Sequence, residues 1–441
     1  MKQIRLVLLL LLTLCFIAVG CSSNSVNEPT ETTETTEPTK ETPKEKVTVS
    51  MAYWGSDFDK SRMEKIKAEF DKEHPNIDVK LILLPNSNGA YDQKMLATMA
   101  AGEPYDVVQL AESFYSFAAK GTLEDLTPYL AKDNVNIDDY YKSSVDAYSY
   151  KGKVMGMPMR TGSMIMLYNK TLFDKHSLKY PDENFTWDDF VNAAVKITDI
   201  PNGVFGVDWI GSWWPSYQAF VYPQGGSMLN EDRTEFTLDS PEAVKGLQLM
   251  QDLIWKHHVS PQPNEWPKGV DLWTSGKMGM KVDGPWHILS SQSNIKDFEW
   301  DIAPIPRGTV AATPMFSNAF SITKLSKNKD AAWEVAKFWT GKTGQEILAS
   351  EHGEVPPLKS VANSPIYLDL GGKAPKSFNK LLIAAESAFT PQATIKWDEI
   401  NNVIGAGVDA ILNTNTPIDS VMPKMKEDVT KLLEEAKQLG Q

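Results

Sequence analysis

Val47, Val49, Met51 and Tyr53 alternate with other residues, the two-residue period of a strand, and Trp54-Gly55-Ser56 follows as a turn. Met63, Ile66 and Phe70 then fall on one face of a helix that His74-Pro75 ends. Ile77, Val79, Leu81 and Leu83 restore the strand period. Met95, Leu96 and Met99 mark a second helix that stops near Gly102. A third strand spans Asp106 to Leu110, and Glu112 to Lys120 predicts a helix closed by Gly121. Strands alternating with helices imply right-handed crossovers and a mainly parallel sheet. Ligands of such sheets sit beyond the carboxyl ends of the strands, where Trp54, Glu112 and Ser113 fall.

The stretch 151–190 changes character. Lys151-Gly152 predicts the turn of a hairpin, and Met164 to Tyr168 is a continuous apolar run suited to a strand buried on both faces. Thr186 with Asp189 three residues on predicts a capping box, opening a helix with Phe190, Ala193, Ala194 and Ile197 on one face. Beyond it the chain is helix-rich. Pro201-Asn202-Gly203 is a turn, Ser240-Pro241-Glu242 starts a helix, and Met278 leads into a strand before Asp283-Gly284-Pro285-Trp286. Phe316 to Thr323 predicts a strand returning to the first half, and a helix carrying Ala332, Val335, Ala336 and Trp339 follows. From about Lys359 the chain is expected to add helices to the second half.

Length supports more than one core, since 441 residues exceed the size at which a single hydrophobic core stops growing. The formal charge of −13 argues against nucleic acid, which calls for basic patches. Lys2 and Arg5 precede an apolar run from Leu6 to Val19, shorter than the about 20 residues of a membrane span and suited to a signal-peptide core. Ala18-Val19-Gly20-Cys21 resembles a bacterial lipobox, which makes 1–20 the signal peptide and Cys21 the lipidated first residue of the mature chain. Removing Lys2 and Arg5 takes the formal charge from −13 to −15. Cys15 would leave with the signal, so no disulfide remains to hold the fold. Residues 22–46 are rich in Thr, Glu, Pro and Lys, with Val26 the one aliphatic residue, and predict a flexible tether spanning roughly 25–30 Å.

Three pieces taken in order carry a resemblance: Tyr168-Asn169-Lys170 with Trp187, the run from Gly276-Lys277-Met278 to Trp286, and Ser326-Lys327-Asn328 with Ala331-Ala332-Trp333. From residue 47 onward the chain resembles the family 1 extracellular solute-binding proteins, the receptors of ABC importers that include maltose-binding protein. The resemblance implies an α/β, two-lobed periplasmic-binding-protein-like fold with a ligand cleft between the lobes. It places the N-lobe at 47–163 plus 316–358 and the C-lobe at 164–315 plus 359–441. It also implies transport and not catalysis, a carbohydrate ligand and ABC permease subunits as partners; no cofactor or metal is expected, and with the lipobox and tether the expected protein is a monomer anchored by lipid to the outer face of the cell membrane of a Gram-positive bacterium.

The family's site residues carry over in part. Trp54, Gly55, Ser56 and Asp57 occupy the first-strand loop that offers polar contacts to sugar in that family. Glu112 matches the third-strand acid, with Ser113 and Gln109 replacing an Arg and a Trp. The acid after the hairpin corresponds to Gly162, which leaves Arg160 as the nearby charged candidate. Trp286 matches the stacking tryptophan of Gly-Pro-Trp, and Trp397 a tryptophan of the C-terminal helix used the same way.

Sugar rings present apolar faces and a hydroxyl rim, so their sites combine flat aromatics with Asp, Glu, Asn or Arg. Trp54, Trp213, Trp214, Trp286 and Trp397 stand at loops or helix starts compatible with this. Of the pair 213–214, one is expected to face the cleft and the other the core. Glu112, Arg160 and Asp283 are the polar candidates, although Asp283 also suits bracing of the Gly284-Pro285 turn. Trp187, Trp255, Trp333 and Trp339 lie in amphipathic helices and are expected in the core. The six histidines form no metal motif, and no complete Gly-x-x-x-x-Gly-Lys-Ser/Thr phosphate loop is present. A receptor of the same fold for a polyamine, iron chelate or peptide remains open, as do a glycoside hydrolase with paired carboxylates and an adhesin.

Overall fold

The computed structural model describes residues 46–86, 89–208, 210–265 and 269–439. The expected signal peptide, the lipidation site Cys21 and the tether up to residue 45 lie outside them. The strands are β1 (Val47–Tyr53), β2 (Ile77–Leu83), β3 (Val107–Leu110), β4 (Ser149–Tyr150), β5 (Lys153–Val154), β6 (Met157–Ser163), β7 (Ile165–Asn169), β8 (Phe205–Val207), β9 (Met278–Asp283), β10 (Trp300–Pro304), β11 (Thr313–Ile322) and β12 (Ala388–Phe389).

Two sheets organise the chain. The first runs β12-β11-β3-β1-β2, with β6 pairing on β11, and the second runs β10-β7-β9-β8. In the first, β1 is parallel to β2 and β3, as the alternating pattern predicts, while the ten-residue β11 enters antiparallel to both β3 and β6. The second sheet is mixed: β7 is antiparallel to β9 and β10, and β8 is parallel to β9. Alternate residues of β7 serve two cores. Met166 and Tyr168 pack with Phe190, Phe220 and Trp397, whereas Ile165 and Leu167 pack with Leu272, Trp273 and Ile302. Burial on both faces is why β7 reads as an unbroken apolar run.

The chain passes from one sheet to the other twice within reach of a single hydrogen-bonded node. Met164 is the one residue between β6 and β7. Its N–H donates to the Pro314 carbonyl at 3.2 Å, and the Thr313 hydroxyl donates to its carbonyl at 2.8 Å. The outgoing and returning crossings are thus tied together. The hairpin β4–β5 turns through Lys151 (φ 49°) and Gly152 (φ 77°), the left-handed pair that matches strand twist. Among the described residues no helix is long and apolar enough to cross a membrane.

The helices after Leu358 are shared between the two sides. Leu358 bridges to Tyr140, and the Tyr367 hydroxyl donates to the Gly353 carbonyl at 3.4 Å, so the helices Lys359–Ala362 and Pro365–Leu368 pack on the first-sheet side with the helix Lys342–Ala349. The helices Trp397–Thr414 and Ile418–Gln438 pack on the second-sheet side, through Ile400, Ile404, Val429 and Leu433. Of the tryptophans in amphipathic helices, Trp333 and Trp339 are fully buried, buried Trp187 stacks on Phe220 at 4.4 Å, and half-buried Trp255 donates its indole N–H to the Leu412 carbonyl at 2.8 Å.

Candidate functional site

The carboxyl ends of β1 and β3 and the elements after β8 and β9 converge on one cleft of about 520 Å³, floored by β6 and β11. Its size suits a small-molecule site. Trp54 leaves β1 and meets Tyr91 edge-on at 4.7 Å. The Tyr91 hydroxyl donates to the Ala52 carbonyl at 2.9 Å and accepts from the Gln109 N–H at 3.0 Å. The Gln109 amide then donates to Asn318 at 2.6 Å on the cleft floor.

Opposite stands a row of aromatic rings. Trp286 opens the helix Trp286–Asn294, and its indole lies back over Gly284, where an added Cβ would sit 2.1 Å from the ring. Only glycine permits that fold-back. Phe316 flanks Trp286 at 4.8 Å and Trp213 meets it edge-on at 5.7 Å. Phe316 also covers Gly162, where a Cβ would meet its ring at 2.5 Å, so no side chain fits at that position. Trp213 is 48 % exposed, while Trp214 is 6 % exposed and packs against Trp397.

Charge enters the cleft as a closed ring of four. Asp59 accepts from Arg62 at 2.6 Å and from Arg160 at 2.7 Å. Glu354 accepts from Arg62 at 3.3 Å and from Arg160 at 3.1 Å. Asp59 also completes the capping box of the helix Asp57–Glu73, accepting from the Ser56 N–H at 2.7 Å and the Ser56 hydroxyl at 2.8 Å. Gly55 makes room for this, since a Cβ there would lie 2.4 Å from Asp59. Burial alone would raise the Asp59 carboxyl, but the Arg160 and Arg62 charges and the Ser56 hydrogen bonds hold it well below the usual carboxylate range. A second chain of charges backs Trp286: Lys281 pairs with Asp208 and with Asp283 at 3.2 Å, and Asp283 pairs with His287 at 2.9 Å on the cleft wall. Glu112 differs from all of these. It has no salt bridge among the described residues, and burial, with Asp92 and Asp398 nearby, pushes its carboxyl up to about 7.

Of the residues singled out in the sequence, the cleft gathers Trp54, Ser56, Glu112, Arg160, Trp213, Trp214 and Trp286. Three are placed elsewhere. Asp57 is exposed in the first turn of its helix, outside the cleft lining. Asp283 stands behind the wall, held by Lys281, His287 and the Gly284 N–H, which is the turn-bracing role. Trp397 is 4 % exposed and serves as the floor under Trp214. Residues that sequence reasoning missed include Phe58, Asp59, Asn86, His287, Phe316, Asn318 and Glu354. Ser56-x-x-Asp59 carries a readable capping signal. Glu354 carries none, because its partners are 292 and 194 positions away. Among the described residues no group of three or more His, Cys, Asp or Glu is placed to hold a metal ion.

Two α/β sheets joined at a short crossing, with an aromatic and hydrogen-bonding cleft between their strand ends, define a binding protein for a small solute. The chain belongs to the bacterial extracellular solute-binding protein family, whose model matches residues 55–346. Its fold is similar to that of an ABC substrate-binding protein from Listeria monocytogenes in complex with cycloalternan. The two are 26 % identical with a TM-score of 0.82, covering 88 % of this chain and 100 % of that one. It is also similar to maltose-bound MalE3 of T. maritima, at 25 % identity and a TM-score of 0.77 over 88 % of this chain and 100 % of the other. Among curated relatives, the galactooligosaccharide-binding protein of Bacillus subtilis (strain 168) is 23 % identical, covering 74 % of this chain and 78 % of its own length.

Proposed function

We propose that this chain is the extracytoplasmic substrate-binding component of an ABC importer, capturing a carbohydrate, most readily an oligosaccharide, and delivering it to permease subunits. The observation that carries this reading is the pairing of Trp213 and Trp286 on one wall with Trp54 on the other, over Phe316 of the floor and beside a rim of Ser56, Asn86, Glu112, Arg160 and Asn318. Flat rings suit the C–H faces of sugars and the rim suits their hydroxyls. The relatives named above for galactooligosaccharide, cycloalternan and maltose support the same class.

The lobes would be 47–163 with 316–358 and 164–315 with 359–441, except that 359–368 is better assigned to the N-lobe on its packing. They rotate about the Met164 and Thr313–Pro314 node. A ligand touching both walls favours the closed state by its differential affinity, and each tenfold of preference is about 1.4 kcal/mol. The site binds without catalysing. Asp59 and Glu354 are each consumed by two arginines, leaving Glu112 as the one cleft carboxylate outside a salt bridge among the described residues, whereas glycoside hydrolysis needs a pair. Cys21 carries the lipid, the tether lets a monomer stay near the outer face of the cell membrane, and a Gram-positive source fits that anchoring.

Intrinsic tryptophan fluorescence and calorimetry with a panel of neutral mono- and oligosaccharides test the reading. A saturable signal from at least one sugar is expected. Silence in both measurements across the panel would refute the carbohydrate ligand.

A further inference from the structure

We infer that the cleft selects a ligand without negative charge and discriminates against acidic glycans such as uronates and sugar phosphates, an inference that rests on the carbohydrate reading for its ligand but on the charge inventory for its sign. Binding an anion requires a cation or a cluster of N–H donors with unsatisfied charge. Among the described residues the basic side chains lining the cleft are Arg160 and His287. Arg160 is already shared between Asp59 and Glu354, and Arg62 behind it closes the same ring, so two positive charges face two negative ones. His287 is paired to Asp283 at 2.9 Å, and Lys281 beyond it is held between Asp208 and Asp283. An incoming carboxylate or phosphate would have to take these cations from partners already in place.

The opposite sign is in surplus. Among the described residues Glu112 lines the cleft without a salt bridge, and the charges of Asp92 in the helix Ala90–Ala100 and Asp398 in the helix Trp397–Thr414 act on it. Asp92 is partnered by the Ser113 hydroxyl at 3.0 Å, not by a cation, and its carboxyl is pushed up to about 6 by burial and by Asp398. Lys120 is the cation that acts on Asp92 and Asp398, and it is exposed. Tyr148, the other titratable group facing Glu112, is pushed up by burial and stays neutral. Arg233, on the far side of Tyr115, is engaged over the Tyr115 ring and by the Ala393 carbonyl at 3.1 Å. A neutral sugar meets a Glu112 that donates or accepts according to pH. An anionic one meets a like charge that grows as pH rises through about 7.

The test titrates the purified full chain by calorimetry at pH 6 and pH 8 with matched pairs: galactooligosaccharide against oligogalacturonate, and maltooligosaccharide against its C6-oxidised form. For whichever backbone binds, the neutral member is expected to bind at least about tenfold tighter at pH 8. The gap should narrow at pH 6 and in Glu112→Gln at pH 8. A uronate binding as well as its neutral counterpart at pH 8 overturns the inference and leaves the carbohydrate reading standing. If neither member of any pair binds, the carbohydrate reading falls, and citrate, glycerol phosphate and spermidine decide the charge. Binding of either anion overturns the inference, binding of spermidine alone upholds it, and silence from all three counts against both.

Discussion

Gly284→Ala adds one methyl group and is expected to disable the cleft without unfolding the protein. The new Cβ would lie 2.1, 2.2 and 2.4 Å from three atoms of the Trp286 ring, where ordinary contact begins at about 3.4 Å, so the indole must move outward by about 1 Å. That shift loosens the edge-on contact with Trp213 and the contact with Phe316, each of a kind worth about 0.5–1.5 kcal/mol, and moves the ring off the face of a bound sugar. Misplacing about 50 Å² of apolar contact removes a further ~1.3 kcal/mol. With each ring contact about half lost, about 0.5–1.5 kcal/mol in all, a ligand that draws the ring back must supply that as well as the ~1.3 kcal/mol, which predicts a loss of about 2–3 kcal/mol in binding, or roughly 30- to 100-fold in Kd. Trp286 sits at a helix start on the cleft wall, so overpacking there is relieved toward solvent and Tm is expected to fall by only a few degrees. Calorimetry with the sugar that binds the wild type measures the effect. Gly405→Ala is the control, since the nearest atom to its Cβ is 3.9 Å away, and it should leave Kd unchanged. Wild-type affinity in Gly284→Ala would refute the placement of Trp286 against ligand.

Arg160→Met leaves Asp59 and Glu354 with Arg62 alone and is expected to lower stability by about 2–4 kcal/mol in urea unfolding; adding Glu354→Gln should recover part of it, and strict additivity of the two would deny the ring. Trp213→Ala and Trp397→Ala separate surface from core: the first should weaken sugar binding with little change in Tm, and the second should lower stability by about 3–5 kcal/mol and weaken binding less than the first. The raised Asp92 and Glu112 carboxyls make folding take up protons, so their contribution is complete below about pH 4 and is lost as pH rises through 6 to 7. Thermal unfolding should therefore show Tm falling from pH 5 to pH 8, with a slope that Asp92→Asn and Glu112→Gln flatten. A Tm that rises over that window in the wild type would contradict the burial of these groups.

Local signals in the sequence carried far. The Thr186–Asp189 and Ser240 caps, the Lys151-Gly152 turn and the β7 run all depend on neighbours within a few positions, and the structure places each as its pattern predicts. What was not legible depends on partners distant in the chain. The approach of Arg62 and Arg160 to Glu354, and the packing of 359–368 on the first-sheet side, join segments that no period or cap connects. Trp397 shows the limit on single residues. Its helix start is readable, but the rotation that turns its indole inward under Trp214 is set by Ile400 and Ile404, buried on the same side of that helix. Gly162 is the converse: the absence of an acid there follows from Phe316, 154 positions later, lying across it.

On the proposed function the two sheets close on a sugar about the Met164 node. Small-angle X-ray scattering of the purified protein, with and without a saturating sugar identified by calorimetry, tests it most directly. A smaller radius of gyration is expected in the sugar-bound state, and at a sugar concentration about ten times the wild-type Kd the Gly284→Ala variant, with its Kd raised roughly 30- to 100-fold, should keep most of the unbound radius. Saturable binding with an unchanged radius of gyration would contradict closure.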